Sequence, residues 1–246
     1  ALAQRVSDAD LMIALGTRLG EMTTSGYTLL QPPVAKQALI HIHADPSELG
    51  RVYRPEIAVS ARPAPFVTQL VEAAPFRAGG DWLTAARQDY ETWQIPQETP
   101  GSLKLEKVIV HLNEVLSDDA ILTNGAGNYS AWLHRYYRYR GWRTQLAPTS
   151  GSMGYGLPAA IAAKLHNPER DVICLAGDGC FQMVSQEFGT ACEQGTNIIV
   201  LVCDNGMYGT IRMHQQRNYP GRPSGTALVN PDFAALARSH GGYGAV

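Results

Sequence analysis

The chain has 246 residues, 45% apolar and 17% charged, a globular composition with material for one large domain or two ordinary ones. A formal net charge of −2 without any Lys/Arg run argues against a nucleic-acid surface, and the longest apolar run, Ile198–Cys203, is too short to span a bilayer. No signal or transit segment is evident, so the expected setting is cytoplasmic, with no nucleic-acid or membrane partner. The spacings of Cys174, Cys180, Cys192 and Cys203 match neither a zinc knuckle nor a redox pair. Cys174 and Cys203 sit in apolar runs and read as small core residues of a reducing compartment. The chain opens at Ala1 and stops at Val246 where a further strand is expected, so both ends read as cut.

In chain order, apolar runs at Leu11–Leu15, Ala38–His43 and Ile57–Ser60 predict buried strands, followed by a helical pattern over Pro65–Ala74. His41 and His43 face one side of the second strand and read as packing residues, a two-His metal pair being the alternative. Residues 75–102 are punctuated by Pro and Gly, with one helix predicted at Trp82–Trp93, and read as a connection. A second unit then alternates helix Leu103–Leu116, strand Ala120–Thr123, helix Ser130–Arg140, helix Leu157–Leu165, strand Val172–Ala176, helix Val184–Gln194 and strand Asn197–Cys203. The alternation implies two doubly wound parallel-sheet α/β domains, whose ligands bind past the carboxyl ends of the strands.

Two strand ends carry chemistry. Asp178 follows one apolar strand and Asn205 the next, with one helix between, so the two strands should be near neighbours and both side chains should leave the same sheet edge. A carboxylate and an amide oxygen are hard ligands suited to Mg2+ or Ca2+. The glycines flanking Asp178 would let backbone N–H groups approach a phosphate. Taken singly, Gly177-Asp178-Gly179 and Asp204-Asn205-Gly206 are also ordinary turns.

Gly177-Asp178-Gly179 followed by Asp204-Asn205 resembles the signature of thiamine diphosphate (ThDP) enzymes. Gly177–Ala191 and Gly151–Ala160 are similar to acetolactate synthase and its relatives, and Ala9–Arg18 and Ile40–Gly50 resemble the family's central domain. The resemblance implies a Rossmann-like central domain over 1–76, incomplete at its N-terminus, a linker over 77–102, and a diphosphate- and Mg2+-binding domain over 103–246, truncated at its C-terminus. It implies Mg2+ held by Asp178, Asn205 and the main-chain oxygen of Met207. Gly177, Gly179, Cys180 and Gly209 would line the diphosphate site, with Asn128 and Tyr129 assisting. Gly151 would accept a hydrogen bond from the aminopyrimidine, and Met153 would wedge between the cofactor's rings and enforce its reactive bend. The implied activity is decarboxylation of a 2-oxo acid followed by protonation or carboligation, in a homodimer or homotetramer.

Each residue has a blander reading: Met153 could fill core space, and Asn128 and Tyr129 could cap a helix. The family takes a catalytic Glu from a separate pyrimidine domain, which these residues do not include, so the fragment alone is expected to be inactive. His214 stands where acetolactate synthases carry a Trp, Asp204 replaces the first Asn of the usual pair, and Gly20-Glu21-Met22 replaces a flavin-associated Asp-Asp-Arg, which argues against FAD without excluding it. The alternative is a non-catalytic ThDP- or nucleotide-binding module or regulatory subunit.

Overall fold

The computed structural model describes residues 2–73 and 79–246, which divide after Trp93 into two compact units. The first contains α1 (Leu2–Asp8), β1 (Leu11–Leu15), β2 (Ala38–His43), β3 (Ile57–Ser60), α2 (Pro63–Ala73) and α3 (Gly80–Trp93). Its strands form a parallel sheet in sequence order, with Ile13 beside Ile40 and Ile40 beside Ile57. The three strands match the predicted runs. α2 starts two residues earlier than its pattern predicts, with Pro63 at a position where a missing N–H costs nothing. Ala74, the predicted end of that helix, and Pro75 lie outside the described residues. Arg5 donates to Asp89 at 2.8 Å and ties α1 to α3. His41 is buried, its Nε2 lying 2.8 Å from the Thr17 carbonyl, and His43 Nδ1 lies 3.1 Å from the Asp45 carbonyl. Both imidazoles are therefore engaged by local backbone, as the packing reading expects.

The second unit contains α4 (Leu105–Val115), β4 (Ile121–Asn124), α5 (Ser130–Tyr136), β5 (Gln145–Leu146), α6 (Gly156–His166), β6 (Val172–Gly177), α7 (Asp178–Gln182), α8 (Glu187–Glu193), β7 (Ile199–Cys203), α9 (Gly209–Asn218) and α10 (Phe233–Ser239). The sheet is parallel, in the order β5-β4-β6-β7. Every residue of β6 is buried, and its alternation serves two cores. Val172, Cys174 and Ala176 pack with Leu157, Ala160 and Phe181; Ile173 and Leu175 pack with Ile109, Leu122 and Leu133 on the other face. Helices thus cover both faces, the doubly wound arrangement the alternation implies.

Three elements differ from their prediction in kind or by more than two residues at an end. α5 ends at Tyr136 rather than Arg140, because Asn113 of α4 donates to the Tyr136 carbonyl at 2.8 Å and accepts from Arg138 N at 2.7 Å, replacing helical bonds. The segment expected as helix Val184–Gln194 starts later, at Glu187, as α8. The turn expected at Gly177-Asp178-Gly179 is instead the start of α7, with Gly177 extended (φ −72°, ψ 155°) at the N-cap and Asp178 in the first turn, where a carboxylate is favoured.

Glu106, in the first turn of α4, is buried and holds the preceding segment. Its carboxylate accepts from the Thr99 hydroxyl at 2.7 Å and from Thr99 N at 3.2 Å. The Thr99 hydroxyl, chiefly, pulls its carboxyl from 4.5 down to about 2, against the opposing cost of burial. A depressed carboxylate contributes stability that is full above 4.5 and disappears as pH falls through about 2. The wild type should therefore exceed Glu106→Gln in unfolding midpoint by a constant margin at neutral pH, and that margin should shrink over this acid window. A pH-independent margin would refute the assignment.

Candidate functional site

β6 and β7 are hydrogen-bonded neighbours with Gly177 beside Cys203, so Asp178 and Asp204-Asn205 leave the sheet at one edge. A cavity of about 480 Å3 lies there, within the usual range of small-molecule sites. Asp178 is 3% exposed in its wall, with no cation beside it among the described salt bridges. Its charge is met by donors instead. Oδ1 accepts from Gly179 N at 2.9 Å; Oδ2 accepts from Gly206 N at 2.9 Å and from Asn230 Nδ2 at 2.8 Å. Asn205 Oδ1 accepts from Met207 N at 3.1 Å.

The 206–208 loop is hooked to the segment that follows α9. Tyr208 N donates to Thr226 O and Leu228 N to Gly206 O, each at 2.9 Å, flanking the antiparallel bridge between Met207 and Ala227. Met207 is therefore the non-hydrogen-bonded member of its pair, and its carbonyl points away from the 226–228 segment. Asp178, Asn205 and Met207 all line the cavity. Among the described residues no group of three or more His, Cys, Asp or Glu could hold a metal. A cation here would draw on one buried carboxylate, an amide oxygen and a main-chain oxygen, a donor set suited to Mg2+, which retains waters and bridges to phosphate.

Gly177, Gly179 and Cys180 line the cavity from the β6–α7 junction, Gly209 from the start of α9, Asn128 and Tyr129 from the loop after β4, and Met153 from the loop before α6. Gly151 is not among the lining residues. It takes a left-handed φ of +69° with nothing within 4 Å of a Cβ built there, so backbone conformation rather than crowding calls for glycine. The Tyr129 ring is wedged against the loop and the strand end: a Cβ at Gly127 would lie 2.6 Å from its Cε1, and one at Gly177 would lie 2.8 Å from it. Burial pushes its phenol well above the ordinary range, so it is neutral at working pH. Asn128 is clasped to α9, accepting from the Thr210 hydroxyl at 2.9 Å and donating its N–H to Thr210 Oγ1 at 3.1 Å. Neither side chain caps α5, which begins at Ser130 without a side-chain cap bond. Burial likewise raises the neighbouring thiols, Cys174 to about 12 and Cys203 to about 11, so both stay protonated.

Residues 125–246 match the thiamine pyrophosphate enzyme C-terminal TPP-binding domain, and residues 1–70 match the central domain of the same enzymes. The chain belongs to the thiamine pyrophosphate enzyme family. It is 31% identical to the acetolactate synthase large subunit of Parasynechococcus marenigrum, 34% to the acetolactate synthase of Mycobacterium avium, and 31% to the mitochondrial acetolactate synthase catalytic subunit of Saccharomyces cerevisiae. Each similarity covers 96% of this chain but only 39%, 40% and 36% of the respective relative, so the chain spans about two-fifths of their length.

Several wall residues escape a reading of the sequence. Thr210, Tyr208, Trp132, Leu103 and Leu105 line the cavity of this family member, and Asn230 sits behind Asp178. The one local signal for Asn230 is the run Asn230-Pro231-Asp232, a turn opening a helix, with Asp232 accepting from Ala235 N at 2.8 Å. His214, where a specificity residue is expected, is exposed on α9 and is not among the lining residues.

Proposed function

We propose that this chain is the central and diphosphate-binding part of a ThDP-dependent lyase or carboligase acting on 2-oxo acids, similar to acetolactate synthase. The observation that carries the proposal is the buried, donor-held Asp178 beside Asn205 and Met207 in a cavity at the β6–β7 edge, inside the segment matching the TPP-binding domain. When bound, ThDP would supply the electron sink for cleavage and formation of bonds next to a carbonyl. The chain's residues supply position. Asp178, Asn205 and the Met207 carbonyl would hold Mg2+, which in turn holds the diphosphate. Gly177, Gly179, Cys180 and Gly209 would give the diphosphate close backbone approach, with Asn128 and Tyr129 beside it. Met153, on the cavity wall, would press the cofactor into its bent form, and Gly151 would accept from its pyrimidine.

The division at 1–76, 77–102 and 103–246, a homodimeric or homotetrameric assembly and a cytoplasmic location belong to this reading. Among the described residues no helix is long and apolar enough to cross a membrane. FAD is not part of the proposal, given Gly20-Glu21-Met22. The full-length protein should release carbon dioxide from 2-oxo acids such as pyruvate only when both ThDP and Mg2+ are supplied. Cofactor binding without turnover would favour a non-catalytic module, and absence of both would refute the assignment.

A further inference from the structure

We infer that Asn230 is a positioning residue that fixes which oxygen of Asp178 is open to the cation. The inference rests on the reading of Asp178 as a Mg2+ ligand. Asn230 is a half-buried residue 52 positions beyond Asp178, brought close because the 226–228 segment pairs with the 206–208 loop. Its Nδ2 donates to Asp178 Oδ2 at 2.8 Å and to Asp204 Oδ1 at 2.6 Å, and its Oδ1 accepts from Gln182 Nε2. The amide orientation follows from its neighbours: carboxylate oxygens accept, so the nitrogen faces Asp178 and Asp204, which leaves the amide oxygen to accept from Gln182. One NH2 group thus bridges two carboxylates that would otherwise repel, one of them the Asp that replaces the family's Asn at 204.

A carboxylate oxygen offers two in-plane lone pairs. Both on Asp178 Oδ2 are taken, by Gly206 N, which is shared with Asp204 Oδ1, and by Asn230, whereas among the described hydrogen bonds Oδ1 has only the Gly179 N–H on it. The open lone pair is therefore on Oδ1, and the carboxylate is set for one-oxygen coordination. That suits Mg2+, which demands near-octahedral geometry, better than Ca2+, which readily takes a carboxylate through both oxygens. Losing Asn230 frees Oδ2 and removes this constraint, a consequence that a role in folding alone would not have.

The test is calorimetric titration of Mg2+ and, separately, Ca2+ into the full-length protein with ThDP present, for wild type, Asn230→Ala and Asp178→Ala, with unfolding midpoints taken without metal or cofactor. Asn230→Ala should lower Mg2+ affinity about 10–100-fold, the usual effect of losing a partner behind a metal ligand, lower Ca2+ affinity less, and leave the midpoint nearly unchanged. Should the alanine variant not fold, Asn230→Leu keeps the volume while removing both donors. Unchanged Mg2+ affinity, or equal losses for both cations in step with a lower midpoint, would overturn the inference while leaving the ThDP assignment standing. A wild type without cation-dependent ThDP binding would overturn both.

Discussion

Asp178→Ala should abolish Mg2+-dependent binding of ThDP, lowering affinity by more than about 100-fold, the upper end of the effect expected of a residue that only supports a metal ligand. Among the described residues lining the cavity Asp178 is the one buried carboxylate, and Asn205 and the Met207 carbonyl bring no formal charge. Without it the doubly charged cation would rely on neutral oxygens and the diphosphate alone. The variant also strips the acceptor from Gly179 N, at about 1–3 kcal/mol if that donor stays buried, whereas Gly206 N and Asn230 Nδ2 each keep a second acceptor, Asp204 Oδ1, at 3.0 and 2.6 Å. Relief of repulsion with Asp204, which shares the Asn230 donor, offsets part of that loss. Titrating ThDP with Mg2+ and with chelator, beside an unfolding measurement on each protein, separates the two effects. If the folded variant still bound ThDP in a Mg2+-dependent way, Asp178 would not be the ligand.

What was legible in the sequence was local and strongly patterned. Val172–Gly177 and Ile199–Cys203 are continuous apolar runs because each strand sends side chains into both cores, although β7 is only half-buried, and each run is followed by an aspartate. Asp178 and Asn205 could be placed at this sheet edge because Asp178 follows its run directly and Asn205 stands one residue past the other. Asn230 could not, since its place depends on pairing between two loops separated by α9. α9 gave no signal of its own: Gly209–Asn218 buries none of its residues, so nothing imposes an apolar repeat. The early end of α5 was hidden for a related reason. The helical pattern does continue past Tyr136, but Asn113, over 20 positions upstream, offers the backbone better partners. Gly151 does not line the cavity as Met153 does, so its proposed role rests on the resemblance of Gly151–Ala160 rather than on the cavity wall.

The wedge of Tyr129 against Gly127 and Gly177 leads to a second large effect, on stability. Gly177 has an ordinary extended backbone, so alanine there is conformationally acceptable, and any loss must come from the ring. A Cβ would sit 2.8 Å from Cε1 and 3.0 Å from Cδ1, well inside contact distance. The ring cannot simply retreat toward the loop, where a Cβ at Gly127 would already lie 2.6 Å from it. Gly177→Ala should therefore cost about 1–3 kcal/mol, as overpacking does. Tyr129→Ala should cost about 3–5 kcal/mol by leaving a cavity between the strand end and the loop. The double variant should be less destabilised than the sum, by a coupling of roughly 0.5–3 kcal/mol, because the new methyl occupies space the ring has vacated. Denaturant unfolding of the four proteins gives the coupling directly. Additive losses, within about 0.5 kcal/mol, would mean that the ring and the strand end are not in the contact described, and that some other requirement keeps glycine at 177.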